Sequence, residues 1–93
     1  MNAPAISRDQ LIADERAAEL AVVTAESAWL LEQATGTPSS IAAARAAVDA
    51  ARTVSLAIRQ RMVAGLAEWT QYAAYREAVA HAEANGIPLP VVT

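Results

Sequence analysis

Residues 41–79 read IAAARAAVDAARTVSLAIRQRMVAGLAEWTQYAAYREAV and contain no proline. Steps of three and four residues select one mainly apolar row, which begins at Ile41 and ends at Val79. A row with this spacing lies along one side of an α-helix and has to pack against a partner. We call it the heptad row; it consists of Ile41, Ala44, Val48, Ala51, Ser55, Ile58, Met62, Gly65, Trp69, Tyr72, Arg76 and Val79. The stretch therefore predicts one long helix.

A shorter helix is predicted before this stretch, at about residues 7–34. Ser7 and Gln10 have the spacing of a capping box, and Gly36 is suited to follow a helix C-terminus. The connection is a turn at residues 35–39. It contains Pro38, which is tolerated because a helix accepts proline among its first residues. That helix covers about residues 40–85, and an extended proline-containing tail follows at residues 86–93. Because the connection is short, the sequence predicts an all-α antiparallel helical hairpin forming one domain over residues 1–93.

Gly65 is the one position at which the long helix could break. A single glycine inside a helix costs about 1 kcal/mol relative to alanine and usually does not end it. We therefore expect a second helix that continues through Gly65. The alternative is a three-helix bundle in which the chain folds back near this residue.

Three arginines of the second helix repeat at seven-residue spacing and could bind an anion or pair with acidic residues of the first helix. If the turn is centred near Gly36 and Thr37, facing residues have numbers that add up to about 73. The expected ion pairs are Glu26 with Arg45, Glu19 with Arg52, and Glu15 or Asp14 with Arg59. The matching order of charges favours ion pairing, which fixes register more than it stabilises exposed helices.

The first helix is too short to cover the whole heptad row. By the same count it ends opposite about residue 67, so the second helix should overhang from Glu68 onward. Large aromatic side chains on an uncovered helix indicate an oligomer core or a docking surface, unless a fold-back at Gly65 buries them. The predicted interface residues are Ile58, Met62, Trp69, Tyr72, Tyr75, Val79, Ile87 and Leu89.

The composition favours an interaction protein. The 93 residues are 55% hydrophobic, but they include no Phe and only two Trp and two Tyr, so the core must be thin. Oligomerisation or docking on a larger protein is the usual remedy. A net charge of −3 argues against nucleic-acid and membrane binding. Because no signal-peptide core is evident, we expect a cytoplasmic protein, or a virion-associated one if a phage encodes it.

Residues with the spacing of a catalytic or metal site are few. The sequence has no cysteine, and its single histidine, His81, lies four residues after Glu77. Two ligands at helical spacing do not make a metal site, and a solvent-facing histidine is far commoner. Neither a phosphate-binding loop nor a nucleophile elbow is evident. The sequence thus predicts a protein without cofactor or metal and without enzymatic activity.

The C-terminal quarter carries a family resemblance. Residues 69–79, WTQYAAYREAV, precede residues 87–92, IPLPVV. A tryptophan, a Tyr-Arg pair on a helix and a proline-containing tail resemble the end of bacteriophage tail-fibre assembly proteins. The resemblance implies an assembly or virion-associated role. Two hypotheses follow: a helical assembly protein that binds itself or a larger protein, and a small regulatory or inhibitor module of the antitoxin or immunity type that binds a basic partner.

Overall fold

The protein is a helical hairpin in a computed structural model that describes residues 1–88. Helix α1 comprises Arg8–Thr35 and helix α2 comprises Pro38–Ala84. The two helices pack antiparallel along the length of α1, and residues 1–88 contain no strand. The predicted all-α hairpin is confirmed. Leu89 lies outside the described residues.

Local chemistry fixes the start of each helix, although the Gln10 side chain bonds Asp14 and does not complete the capping box predicted with Ser7. The Ser7 hydroxyl oxygen accepts a hydrogen bond of 3.0 Å from the Gln10 N–H and caps α1. Thr37 and Ser40 form a complete capping box at the start of α2, with Pro38 as its first helical residue. These side chains satisfy N–H groups that have no partner within the helix. Two well-capped starts around a two-residue connection force the helices to be antiparallel.

The C-terminus of α2 ends in a Schellman motif at Gly86. Gly86 has a φ of 64°, a left-handed conformation that favours glycine. The Ile87 N–H then donates a hydrogen bond of 2.8 Å to the Ala82 carbonyl, and the Gly86 N–H donates one of 3.4 Å to the Glu83 carbonyl. Both bonds are those that define the motif. The end of α2 at Ala84, close to the predicted residue 85, follows from this geometry.

Gly65 lies within an unbroken α2, so the three-helix bundle is not the fold adopted. A Cβ atom at Gly65 would lie 2.5 Å from Leu11 Cδ1 and 3.0 Å from its Cδ2. The absence of a side chain at this position lets Leu11 of α1 pack directly on the α2 backbone, and Leu11 is only 3% exposed. Gly65 is therefore a site of close helix approach.

Most of the core lies in one seam between the two helices. Among residues 1–88, the buried positions are Leu11, Ala18, Val48 and Ser55 in this seam and Ala82 near the end of α2. The heptad row is buried or half-buried from Ile41 to Tyr72. Beyond Tyr72 the row is interrupted, since Arg76 is exposed whereas its neighbour Tyr75 is half-buried.

The molecule is a thin rod. It measures 73 × 21 × 13 Å, and its radius of gyration is 21.7 Å, whereas a compact chain of this length has about 12 Å. Its accessible surface is 6833 Å², compared with about 5,100 Å² for a compact monomer of 9.7 kDa. Within the described residues, neither helix has an apolar stretch long enough to cross a bilayer. Two helices in one layer thus leave much apolar surface exposed.

Candidate interaction surface

Two ion pairs join the helices along one edge of the seam. Arg52 Nη2 lies 3.2 Å from Glu26 Oε1, and Arg59 Nη2 lies 3.2 Å from Glu19 Oε1. The predicted pairings of Glu26 with Arg45 and of Glu19 with Arg52 are therefore wrong. Each glutamate binds the arginine one heptad further from the turn. The complementary order of charges is confirmed, but its register is shifted.

The shift follows from the direction in which helical side chains lean. Every Cα–Cβ bond in a helix tilts toward the N-terminus of that helix. Glutamates on α1 therefore lean away from the turn, whereas arginines on the antiparallel α2 lean toward it. The charged ends of Glu26 and Arg52 meet although their backbones are offset along the rod. Counting backbone positions alone misses this offset and selects Arg45.

Three residues of the predicted pairs remain, namely Arg45, Glu15 and Asp14, and Asp14 accepts a hydrogen bond of 2.6 Å from the Gln10 side-chain amide. Arg45 is exposed and belongs to neither ion pair of the described residues. Glu15 lies one turn from Glu19 on α1. Desolvation raises the pKa of Glu15, and the hydrogen bond and charge of Glu19 raise it further, whereas Arg59 and Arg16 lower it. Arg59 thus acts on both glutamates while its direct partner is Glu19.

Trp69 does not belong to a bare overhang. Its Nε1 donates a hydrogen bond of 2.8 Å to the carbonyl oxygen of Ile6, and the residue is half-buried. The expectation that everything from Glu68 onward is uncovered is thus wrong for Trp69, because the segment before α1 crosses α2 there. Pro4, Ala5 and Ile6 border a hollow whose other walls include Arg61, Ala64 and Glu68. Side chains beyond Trp69 are also partly covered, since Tyr72, Tyr75 and Val79 are half-buried and Ala82 is 6% exposed.

The other predicted interface residues fall into two groups. Ile58 and Met62 are half-buried in the seam, between the two helices. The second group forms what we call the C-terminal end. Tyr72 packs edge-on against Trp69, with ring centroids 5.8 Å apart, and Ile87 is 50% exposed. The members of the C-terminal end are Tyr72, Tyr75, Val79 and Ile87, of which the first three are half-buried.

The most exposed large apolar residues of α1 lie on its outer side, away from α2. Leu20 is 66% exposed, Val23 58%, Leu30 63% and Leu31 64%. Their spacing places them along one side of the helix, whereas Leu11, Ala18, Val22 and Trp29 face the seam. We call these four residues the outer stripe. A contiguous apolar stripe on a surface helix marks an interaction site.

The sequence contains the signal for the outer stripe, although the predicted interface omits it. The apolar residues of α1 fall on more than one side of the helix, as in a helix contacted from two sides. One side packs against α2, and the other is the outer stripe. The prediction followed the aromatic residues of α2 and left this second apolar side without a role.

Trp29 carries a buried polar atom in the seam. Within residues 1–88, its Nε1 has no hydrogen-bond partner. A buried N–H without a partner lowers stability by about 1–3 kcal/mol. Trp29 therefore contributes packing area to the seam but leaves its N–H donor unsatisfied, whereas the N–H of Trp69 has a hydrogen-bond acceptor.

His81 and Glu77 stand on exposed positions of α2 near its end. The His81 carbonyl accepts a hydrogen bond of 2.8 Å from the Asn85 side-chain amide, which helps to terminate the helix. No group of three potential metal ligands occurs among the residues that the structure describes. The local geometry at His81 is that of a helix C-terminus.

Comparisons with protein families, with curated proteins and with solved structures found no match to this chain. A function for the chain therefore has to be inferred from the geometry of the hairpin and its surface.

Proposed function

We propose that the chain is a non-enzymatic helical assembly protein that acts by binding itself or a larger protein. The single observation that carries this proposal is the exposed outer stripe on a one-layer hairpin. Globular domains are built from at least two packed layers around a core. A rod that is 13 Å thick has room for one layer of helices. A second layer from another chain would complete it.

The area of the molecule supports the same proposal. Its accessible surface exceeds that of a compact monomer of equal mass by about 1,700 Å². A standard protein–protein interface buries about 800 Å² on each partner. The rod thus has enough surplus surface for an extensive interface, and apolar residues on its outer side to supply the driving force.

The resemblance of the C-terminal quarter extends the proposal to phage virion or tail assembly. In that setting, the C-terminal end is the surface for a larger partner, since it contains the tyrosines of the resembling segment. Tyr72, Tyr75 and Val79 are half-buried, and Ile87 is 50% exposed. Aromatic residues of this kind supply much of the binding energy at interfaces.

The alternative is a regulatory or inhibitor module whose acidic α1 binds a basic protein. The internal ion pairs count against it, because Glu19 and Glu26 already bind Arg59 and Arg52 within the chain. The two functions differ in their salt dependence. Binding through the glutamates should weaken steeply as salt is added, whereas binding through apolar residues should hardly change.

Sedimentation of the isolated chain across micromolar concentrations, at low and high salt, tests the proposed function. We expect a species heavier than the 9.7 kDa protomer whose mass persists at high salt. A monomer at every concentration, combined with a cooperative thermal transition, would overturn self-assembly as the function and leave only binding to a larger protein. Such a result would mean that the hairpin is stable without any partner.

A further inference from the structure

We infer that the partner of the outer stripe is a second copy of this chain, with the two α1 helices antiparallel across a two-fold axis. This inference rests on the proposed function and names the surface that performs it. Leu20, Val23, Leu30 and Leu31 are each more than half exposed in the hairpin. In the dimer they would form the contact between two hairpins and convert two single layers into a four-helix bundle.

The outer stripe carries no charge that would have to be buried. Between Leu20 and Leu31 the only charged residue is Glu26, which is bound to Arg52 at the edge of the seam. Two polar residues lie among the apolar ones, and both are satisfied internally. The Thr24 hydroxyl donates a hydrogen bond of 2.8 Å to the Leu20 carbonyl oxygen, and the Ser27 hydroxyl donates one of 2.9 Å to the Val23 carbonyl oxygen. Burial of this surface therefore leaves no donor unpaired.

The order of residues along the stripe is self-complementary in the antiparallel direction. Leu20 stands at one end and Leu30 and Leu31 at the other, and Val23 with the small residues Thr24 and Ser27 lies between them. A two-fold axis between Thr24 and Ser27 places Leu20 of each copy against Leu31 of the other. Thr24 then faces Ser27 of the second copy, where small side chains let the helices approach closely. A two-fold interface requires this kind of reciprocal fit.

The surplus surface fits a dimer of identical rods. Each protomer exposes about 1,700 Å² more than a compact monomer of its mass. Obligate homodimers bury about 2,000–5,000 Å² in total, and twice this surplus falls within that range. An unrelated partner would need a matching uncharged stripe of its own, whereas a second copy already supplies one.

Matched valine substitutions on the two helices test the inference. Val23 on the outer stripe is 58% exposed and Val54 on α2 is 55% exposed. They lie at the same level of the rod, because their neighbours Val22 and Ser55 border one groove. Lysine at position 23 lies one turn from Glu19 and Glu26 on the same helix, so it should not weaken α1 itself. Val23→Lys and Val54→Lys therefore differ in the surface that they charge.

We expect Val23→Lys to halve the mass in sedimentation and to raise the dimer dissociation constant by about 30-fold or more. Val54→Lys should leave the dimer intact. If Val23→Lys leaves the mass unchanged while Tyr75→Ala dissociates the oligomer, the inference is wrong and the proposed function stands. If the unsubstituted chain is a monomer with a cooperative transition, the inference is overturned, and so is self-assembly as the proposed function.

A cross-linking experiment keeps the inference testable if Val23→Lys fails to fold. The chain has no cysteine, so Ser27→Cys introduces a single reactive thiol near the proposed two-fold axis. A short bis-maleimide should join two copies of this variant into a covalent dimer. The same reagent should leave a Val54→Cys variant mostly monomeric. Equal yields from the two variants, or a higher yield from Val54→Cys, would overturn the inference.

Discussion

The indole Nε1 of Trp69 lies 2.8 Å from the carbonyl oxygen of Ile6, to which it donates a hydrogen bond. This bond fastens the segment before α1 to α2, close to the residue at which the first helix begins. Leu11 follows Ile6 by five residues and packs against Gly65, which lies one helical turn before Trp69 on α2. The open end of the hairpin is therefore held by two contacts of different chemistry.

The two tryptophans should respond differently to replacement by phenylalanine. Trp69→Phe removes the donor to Ile6 and should lower the free energy of unfolding by about 1–3 kcal/mol. Trp29→Phe removes a buried N–H that has no partner within the described residues, so its packing loss should be largely offset. Urea unfolding followed by circular dichroism, at one protein concentration, measures both. An equal loss for the two variants would contradict this assignment of the donors.

The register of the hairpin can be tested by exchanging charges. Reversal of Glu26 or Arg52 alone should destabilise the hairpin, and the double reversal should restore about 0.2–1 kcal/mol in a double-mutant cycle at low salt. The gain is small because both side chains are partly solvent-exposed. The matched control is the cycle of Glu26 with Arg45, which should show no coupling. Coupling to Arg45 and none to Arg52 would restore the register expected from backbone counting.

The features that could be predicted from sequence are those set by local chemistry. Ser7, Thr37 and Gly86 act on backbone groups within a few residues, so the ends of both helices were evident. The partner of Glu26 depends on how side chains lean across the seam, which helix periodicity does not contain. The burial of Trp69 depends on the path of the irregular segment before α1, whose residues have no apolar periodicity that would predict where it lies. The outer stripe was present as a second apolar side of α1, but nothing in the sequence ranked it above the aromatic residues of α2.

Glu15 should make stability depend on pH. Its folded-state pKa is raised, chiefly by desolvation, so the charged carboxylate destabilises the folded chain at neutral pH. The penalty should fall as the pH drops through the raised pKa and vanish below the ordinary value of 4.5, where the group is protonated in both states. Glu15→Gln should therefore raise the melting temperature at neutral pH and leave it unchanged in acid. A lower melting temperature for Glu15→Gln at neutral pH would contradict the prediction.

Because Gly65 contacts Leu11, the effect of Gly65→Ala on the free energy of unfolding should depend on whether the Leu11 side chain is present. Gly65→Ala gains about 1 kcal/mol of helix propensity, but its Cβ meets the Leu11 side chain, which is buried. Overpacking of this kind costs about 1–3 kcal/mol, so the single substitution should be neutral or destabilising. Thermal and urea unfolding of the variant would measure the balance.

In a Leu11→Ala background the obstructing Cδ atoms are absent, and Gly65→Ala should then stabilise the hairpin by about 1 kcal/mol. The difference between the two backgrounds is the coupling energy of the contact, expected at about 1–3 kcal/mol. Gly65→Ala that stabilises both backgrounds equally would show that Leu11 can move aside without cost. In that case the glycine would not be needed for the close approach of the helices, and the tight packing at the open end would depend on Trp69 and Ile6 alone.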